Sequence, residues 1–181
     1  MPCELIIGGA RSGKSRHAEQ RAVESGLPVH VIVTAEALDE EMRVRIARHQ
    51  ADRPTGWTVV EAPRGLAVAL AAEAAEGRCV VVDCLTLWLA NLLDGAEALP
   101  PGEGAEQLPA FAAERAALLG LIPGLPGRVL FVANEVGFGL VPETPLGRLF
   151  RDEAGRLNQA VAALCGEVTL VAAGLPLKLK G

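Results

Sequence analysis

Residues 3–25 read CELIIGGARSGKSRHAEQRAVES, and this stretch decides the fold. Cys3–Ile7 is a short apolar run of strand character, and Lys14–Ser25 has helical character. Between them Gly8, Gly9, Ala10, Arg11, Ser12, Gly13, Lys14 and Ser15 satisfy G-x-x-x-x-G-K-[ST] in the strand-to-helix setting that the motif requires. Glycine lets the backbone wrap closely enough for successive N–H groups to point at phosphate oxygens. The helix that follows adds its positive N-terminal end. Lys14 then reaches the β and γ phosphates, and the Ser15 hydroxyl is placed to ligate Mg²⁺. A nucleoside triphosphate with its magnesium ion is the expected ligand.

Outward from this loop, short apolar runs alternate with longer helical stretches. The strand candidates are Cys3–Ile7, Val29–Thr34, Trp57–Glu61, Cys79–Asp83, Arg128–Ala133 and Glu167–Ala173. Several are almost continuous in Val, Ile and Leu, as strands covered on both faces should be. Helices are expected at Lys14–Ser25, Leu38–Gln50, Gly65–Ala75, Leu85–Leu93, Glu106–Leu121 and Thr144–Leu164, the last begun by a Thr-Pro cap and first turn. The pattern predicts an α/β fold of P-loop NTPase type (RecA-like), a mainly parallel sheet with helices on both faces, with residues 1–181 as one domain. Asp94–Pro109 (DGAEALPPGEGAEQLP) breaks the rhythm and reads as a flexible surface excursion or lid. The closing LPLKLKG is long enough only for a terminal strand or tail.

Composition bounds the function. Half of the 181 residues are hydrophobic and 22% are charged, which excludes intrinsic disorder. Lys plus Arg number 17 against 22 for Asp plus Glu, so a general nucleic-acid binder is not expected. No segment approaches the ~18 uninterrupted apolar residues of a membrane span. The N-terminal stretch does not read as a signal peptide. Cys3, Cys79, Cys84 and Cys165 form no CxxC pair and read as buried small hydrophobes. A cytoplasmic protein is expected.

Two acids compete for the metal side of the nucleotide. Asp83 ends the apolar run Cys79–Asp83, and Glu135 follows the next strand; both lie at strand ends facing the ligand side of such sheets. The three histidines differ. His17 lies in the first turn of the phosphate-loop helix, and His30 begins a strand, where a structural role is expected. Met42, Ile46 and His49 are spaced i, i+4, i+7, so by spacing His49 is a partly buried histidine on the border of an apolar stripe. The same helix also allows Arg45, Arg48 and Arg53 to gather a triphosphate around an imidazole nucleophile. Helix geometry leaves both readings open, as it leaves open whether Glu41 and Arg45 are merely a surface pair.

GGARSGKSRHAE, LDEEMRVRIARHQADRP, the TLWLANLL after VVVDC, and ANEVGFGLVPETPLGRLFRDEAGRLNQ occur in order along nearly the whole chain. Together they resemble the bifunctional adenosylcobinamide kinase/adenosylcobinamide-phosphate guanylyltransferases of cobalamin biosynthesis. The resemblance implies that His49 is the guanylylated histidine and that Gly8–Ser15 bind GTP. It implies nucleotide contacts at Val33, Thr34 and Ala35, at Gln50, Ala51, Asp52 and Arg53, and at Glu61 and Asp83. Arg48 stands where some relatives have a second histidine, and Asp83 where Glu also occurs. Implied substrates are ATP or GTP and adenosylcobinamide, with Mg²⁺ held by Ser15 and Asp83, in a homo-oligomer that is a trimer in the family. Nearby arginines would favour the neutral imidazole that a nucleophile requires. The Asp94–Pro109 excursion and the GFGLVPE loop are the candidate corrinoid contacts. The rival expectations are a monofunctional P-loop small-molecule kinase, with no use for a nucleophilic His49, and a non-metabolic ATPase module.

Overall fold

A computed structural model describes residues 3–36, 40, 43–44, 54–96 and 104–181. Its strands are β1 (Cys3–Gly8), β2 (Val29–Val33), β3 (Thr58–Glu61), β4 (Cys79–Asp83), β5 (Arg128–Asn134), β6 (Glu167–Ala172) and β7 (Leu175–Lys180). They form one seven-stranded sheet in the order β3-β2-β4-β5-β1-β6-β7. All neighbours pair in parallel except β6 and β7. The parallel strands therefore bring Gly8, Val33, Glu61, Asp83, Asn134 and Ala172 to one edge of the sheet.

The helices are α1 (Lys14–Glu24), α2 (Leu66–Glu73), α3 (Leu85–Leu92), α4 (Pro109–Leu121) and α5 (Pro145–Leu164). Alternation along each strand divides the core in two. Ile6, Val31, Val81, Leu130, Val132 and Val171 pack with Ala18 and Ala22 of α1. Leu5, Ile32, Val80, Val82 and Phe131 pack on the opposite face with Trp88, Leu118, Leu157 and their neighbours from α2 to α5. This is the two-face coverage that nearly continuous apolar strands require. Trp88 is fully buried, so its helix serves the core. All four cysteines are free and buried.

Several expectations are refined. Strand β3 begins at Thr58, one residue after Trp57. The single helix expected over Glu106–Leu121 is a 3-10 turn at Ala105–Gln107 followed by α4, which starts at Pro109 because proline suits a first helical turn and disrupts an interior one. The Asp94–Pro109 excursion is pinned at both ends: Ala96 and Ala105 are buried in the core. Its middle, residues 97–103, lies outside the described residues, as does most of the Leu38–Gln50 helix, of which Glu40, Arg43 and Val44 are helical. The closing segment forms a complete antiparallel strand. Ala173 and Gly174, with φ of 52° and 78°, turn β6 into β7 as a two-residue hairpin, the left-handed pair that matches strand twist. No helix among the described residues is long and apolar enough to cross a membrane.

Candidate functional site

The phosphate loop connects β1 to α1 at the carboxyl edge of the sheet. It turns on Arg11 (φ 56°) and on Gly13 (φ 95°), which precedes the first turn of α1. The Ser12 N–H donates to Gly9 O at 3.2 Å, and the Lys14 ammonium donates to the same carbonyl at 3.2 Å. Two neighbours hold the loop from behind. Glu135 N donates to Gly8 O at 3.0 Å from the end of β5, and Gly174 N in the terminal hairpin donates to Ser12 O at 2.8 Å. A side chain on Gly8 would meet Ser12 Oγ and Val171 O, each at 2.5 Å, so the close approach of loop to β6 demands glycine there.

Beside the loop, Ser15 and Glu19 of α1 line a cleft with Asp83 at the end of β4, floored by Val31, Val81 and Val132 and flanked by Trp57. Ser15 and Asp83 thus face one space, whereas the Glu135 carboxylate accepts from its own loop's Gly137 N at 2.6 Å. A hydroxyl and a carboxylate are hard oxygen donors, and Mg²⁺ in nucleotide sites takes one or two carboxylates and completes its shell with water and phosphate. The donor set at Ser15 and Asp83 fits that ion. The Cys84 thiol next to Asp83 is pushed up from its ordinary 9.0, first by burial and then by the Asp83 charge, with the Leu87 and Thr86 backbone opposing.

The other sequence candidates divide. Val33 ends β2 at the same edge and Thr34 follows it, but both are buried, and Thr34 is 0% exposed. Its hydroxyl donates to Cys84 O at 2.7 Å and accepts from Cys84 N at 2.9 Å, which turns the side chain toward β4 and leaves solvent to the following Ala35 and Glu36. Glu61 ends β3 in register with Val33, and so stands two strands from Asp83 and exposed. His49, Gln50, Ala51, Asp52 and Arg53 lie outside the described residues. His30 has the structural role expected, with Nδ1 2.6 Å from Glu73 Oε2.

Three polar side chains that sequence reading passed over tie the strand ends together. Asn91 of α3 donates to Thr34 O and Pro63 O at 2.8 and 2.9 Å. Thr86 Oγ1 accepts from Asn134 N at 2.6 Å, and Asn158 of α5 donates to Asn134 O at 3.1 Å. The signal available was an asparagine inside each of two otherwise core-facing helical stretches. Past β5, the GFGLVPE loop carries Phe138, Leu140 and Val141 at 86%, 96% and 65% exposure, beside the strand end that holds Gly8.

Comparison with known proteins agrees with this geometry. The chain is 52% identical over 180 residues to the bifunctional adenosylcobalamin biosynthesis protein CobP of Pseudomonas aeruginosa, covering 98% of this chain and 97% of that one. It is 41% identical over 182 residues to the bifunctional adenosylcobalamin biosynthesis protein CobU of Salmonella typhimurium, covering 97% and 98%. Among solved structures, a prototypical ATPase from the type III secretion system of pathogenic bacteria superposes with a TM-score of 0.53 at 13% identity, over 98% of this chain and 56% of that one. The assembled ATPase EscN of enteropathogenic E. coli gives 0.51 at 12% identity, over 95% and 43%. The chain spans about half the length of these two, and at such identity they speak to the fold alone. The CobU profile, described as cobinamide kinase / cobinamide phosphate guanyltransferase, matches residues 4–179, and the chain belongs to that family.

Proposed function

We propose that this chain phosphorylates the aminopropanol hydroxyl of adenosylcobinamide with ATP or GTP and then transfers GMP from GTP to the product, giving adenosylcobinamide-GDP. The observation that carries the reading is the phosphate loop Gly8–Ser15, whose last residue, Ser15, lines one cleft with Asp83, in a chain of the cobinamide kinase/guanyltransferase family. In the kinase step the loop N–H groups, the α1 terminus and Lys14 hold the triphosphate in line with the substrate hydroxyl. The bond from the γ-phosphorus to the nucleoside diphosphate breaks, a bond to the hydroxyl oxygen forms, and the hydroxyl proton leaves. Ser15 and Asp83 would hold Mg²⁺, which would neutralise charge on the phosphates.

In the transfer step a neutral nitrogen of His49 attacks the α-phosphorus of GTP, and pyrophosphate leaves. The substrate phosphate oxygen then displaces the histidine and restores it. Dividing one hard displacement into two is the use of a covalent nucleophile. The reading for His49 and for Gln50–Arg53 rests on the family resemblance. Ala35 and Glu61 take the outer positions of the nucleotide site, with Val33 at its edge and Thr34 behind it, its polar atoms spent on Asp83, Cys84 and Asn91. The exposed Phe138, Leu140 and Val141, standing beside the loop, support the GFGLVPE segment as the corrinoid contact. Residues 1–181 act as one unit in a cytoplasmic homo-oligomer, a trimer by resemblance.

The test is incubation with Mg²⁺ and GTP labelled at the α or the γ position, followed by denaturing electrophoresis. Acid-labile label retained from the α position alone, and absent in His49→Ala, is the expected result. Absence of covalent label, with GTP binding that is lost in Lys14→Ala, would support a monofunctional kinase instead.

A further inference from the structure

Every hydrogen-bonding atom of Thr34 is committed to holding the end of β4 or is itself held. Its N–H donates to Asp83 O at 3.1 Å. Its hydroxyl takes both polar groups of the next residue, accepting from Cys84 N at 2.9 Å and donating to Cys84 O at 2.7 Å. Its carbonyl accepts from Asn91 at 2.8 Å, and Asn91 spends its other N–H on Pro63 O at 2.9 Å. The β2–β4 ladder ends at Val33 opposite Asp83, so beyond that pair no strand partner holds the chain. The hydroxyl takes the partner's place. It fixes the peptide between Asp83 and Cys84 from its nitrogen side while the Thr34 N–H fixes it from its oxygen side.

We propose that Thr34, backed by Asn91, is a positioning residue for Asp83: it holds the backbone so that the carboxylate stands across the cleft from Ser15. A short side chain makes this matter. Aspartate reaches one methylene less than glutamate, so where its carboxylate lands is set mostly by where its backbone is held. Thr34 is wholly buried and cannot act by touching the nucleotide with its hydroxyl. Outer partners of metal ligands commonly act in this way, and their loss weakens metal binding without removing a ligand.

This inference rests on Asp83 being a metal-side ligand, and the experiment separates the two. Mn²⁺ binding is titrated by electron paramagnetic resonance on the full chain with a non-hydrolysable GTP analogue. The proteins are the unaltered chain, Asp83→Asn, Thr34→Val, Thr34→Ser and Asn91→Ala. Metal-free affinity for the analogue is measured alongside. Thr34→Val keeps the shape and deletes the hydroxyl. It is expected to weaken Mn²⁺ binding by about 10-fold while metal-free nucleotide affinity stays within about twofold, and Thr34→Ser is expected to recover most of the loss. Asn91→Ala, which leaves the Thr34 hydroxyl in place, is expected to show a smaller loss in the same direction and serves if Thr34→Val does not fold. A loss in Asp83→Asn with none in Thr34→Val or Asn91→Ala overturns the positioning role alone. An equal loss in Thr34→Ser and Thr34→Val also overturns it, because shape rather than the hydroxyl would then be responsible. Unchanged Mn²⁺ binding in Asp83→Asn overturns the metal-side reading of Asp83, and this inference with it.

Discussion

Gly8 shows how a single missing side chain sets the site. A Cβ there would lie 2.5 Å from the Val171 carbonyl, which belongs to the β6 backbone and cannot rotate away. Gly8→Ala therefore forces the loop off its path, at an overpacking cost of ~1–3 kcal/mol that falls on the segment binding phosphate. Its expected signature is a thermal midpoint lowered by several degrees together with a loss of nucleotide affinity, read by titrating a fluorescent GTP analogue. A lowered midpoint with full affinity would mean that the loop relocates intact. Gly8, Lys14 and Ser15 were legible in the sequence because the phosphate-loop motif prescribes their types and spacing, whereas Asp83 was legible only as an acid ending an apolar strand, with Glu135 its rival. Thr34 was legible only as a family position at the nucleotide site, and the bonds of its hydroxyl to Cys84 were not legible at all. Nothing local marks that partner, which lies fifty residues along the chain. Glu4 was equally hidden. Read as one more strand residue, it is 3% exposed and bonded to Arg21, Arg128 and Thr169 from three other elements.

At the scale of elements, α5 is the clearest case of local chemistry predicting structure. Thr144 Oγ1 accepts from Gly147 N at 3.1 Å, and Pro145 opens the helix, as the Thr-Pro pair suggests. Arg148 turns back to donate to the Pro142 and Glu143 carbonyls at 3.0 and 2.8 Å, closing the GFGLVPE loop onto its own helix. Thr144→Ala removes one cap bond, and its cost should be ~1 kcal/mol, measured by urea denaturation. GTP-analogue affinity should be unchanged, because the phosphate loop is held through Glu135 and Gly174 rather than through this cap. The terminal hairpin was less legible. Ala173-Gly174 lacks the Asn-Gly or Asp-Gly composition that announces a two-residue turn, and alanine at positive φ is disfavoured in isolation. The register of β6 and β7, with Ala172 opposite Leu175, overrides that preference. The same turn carries Gly174 to Ser12, so the turn into the closing segment, which was read as a terminal strand or tail, supports the phosphate loop.

At the scale of the molecule, the alternation of strand and helix announces a parallel α/β sheet, but strand order depends on pairings distant in sequence. β1 lies between β5 and β6, and β4 with Asp83 is separated from it by β5; no periodicity encodes that. The consequence is mechanical. The phosphate loop leaves β1, Asp83 leaves β4, and the loop is tied to β5 and to the β6–β7 turn, so a nucleotide bound as proposed would be held by strands from the middle of the sheet. The outermost strands are β3, mostly exposed, and β7, exposed throughout. Local opening should therefore run from the edges inward, with amides of β1, β4 and β5 exchanging slowest in hydrogen exchange. GTP with Mg²⁺ at about a hundred times its Kd stabilises a single-site protein by ~2.7 kcal/mol. For a chain of this length each kcal/mol moves the thermal midpoint by about 2–4 °C, so a rise of roughly 5–11 °C is expected, and none in Lys14→Ala. Exchange would show how the binding energy is distributed. Added protection concentrated in β1, β4, β5 and the β6–β7 turn is the outcome that the tied strand ends require. Protection confined to the phosphate loop and α1, with β4 unchanged, would mean that Asp83 takes no share in holding the nucleotide.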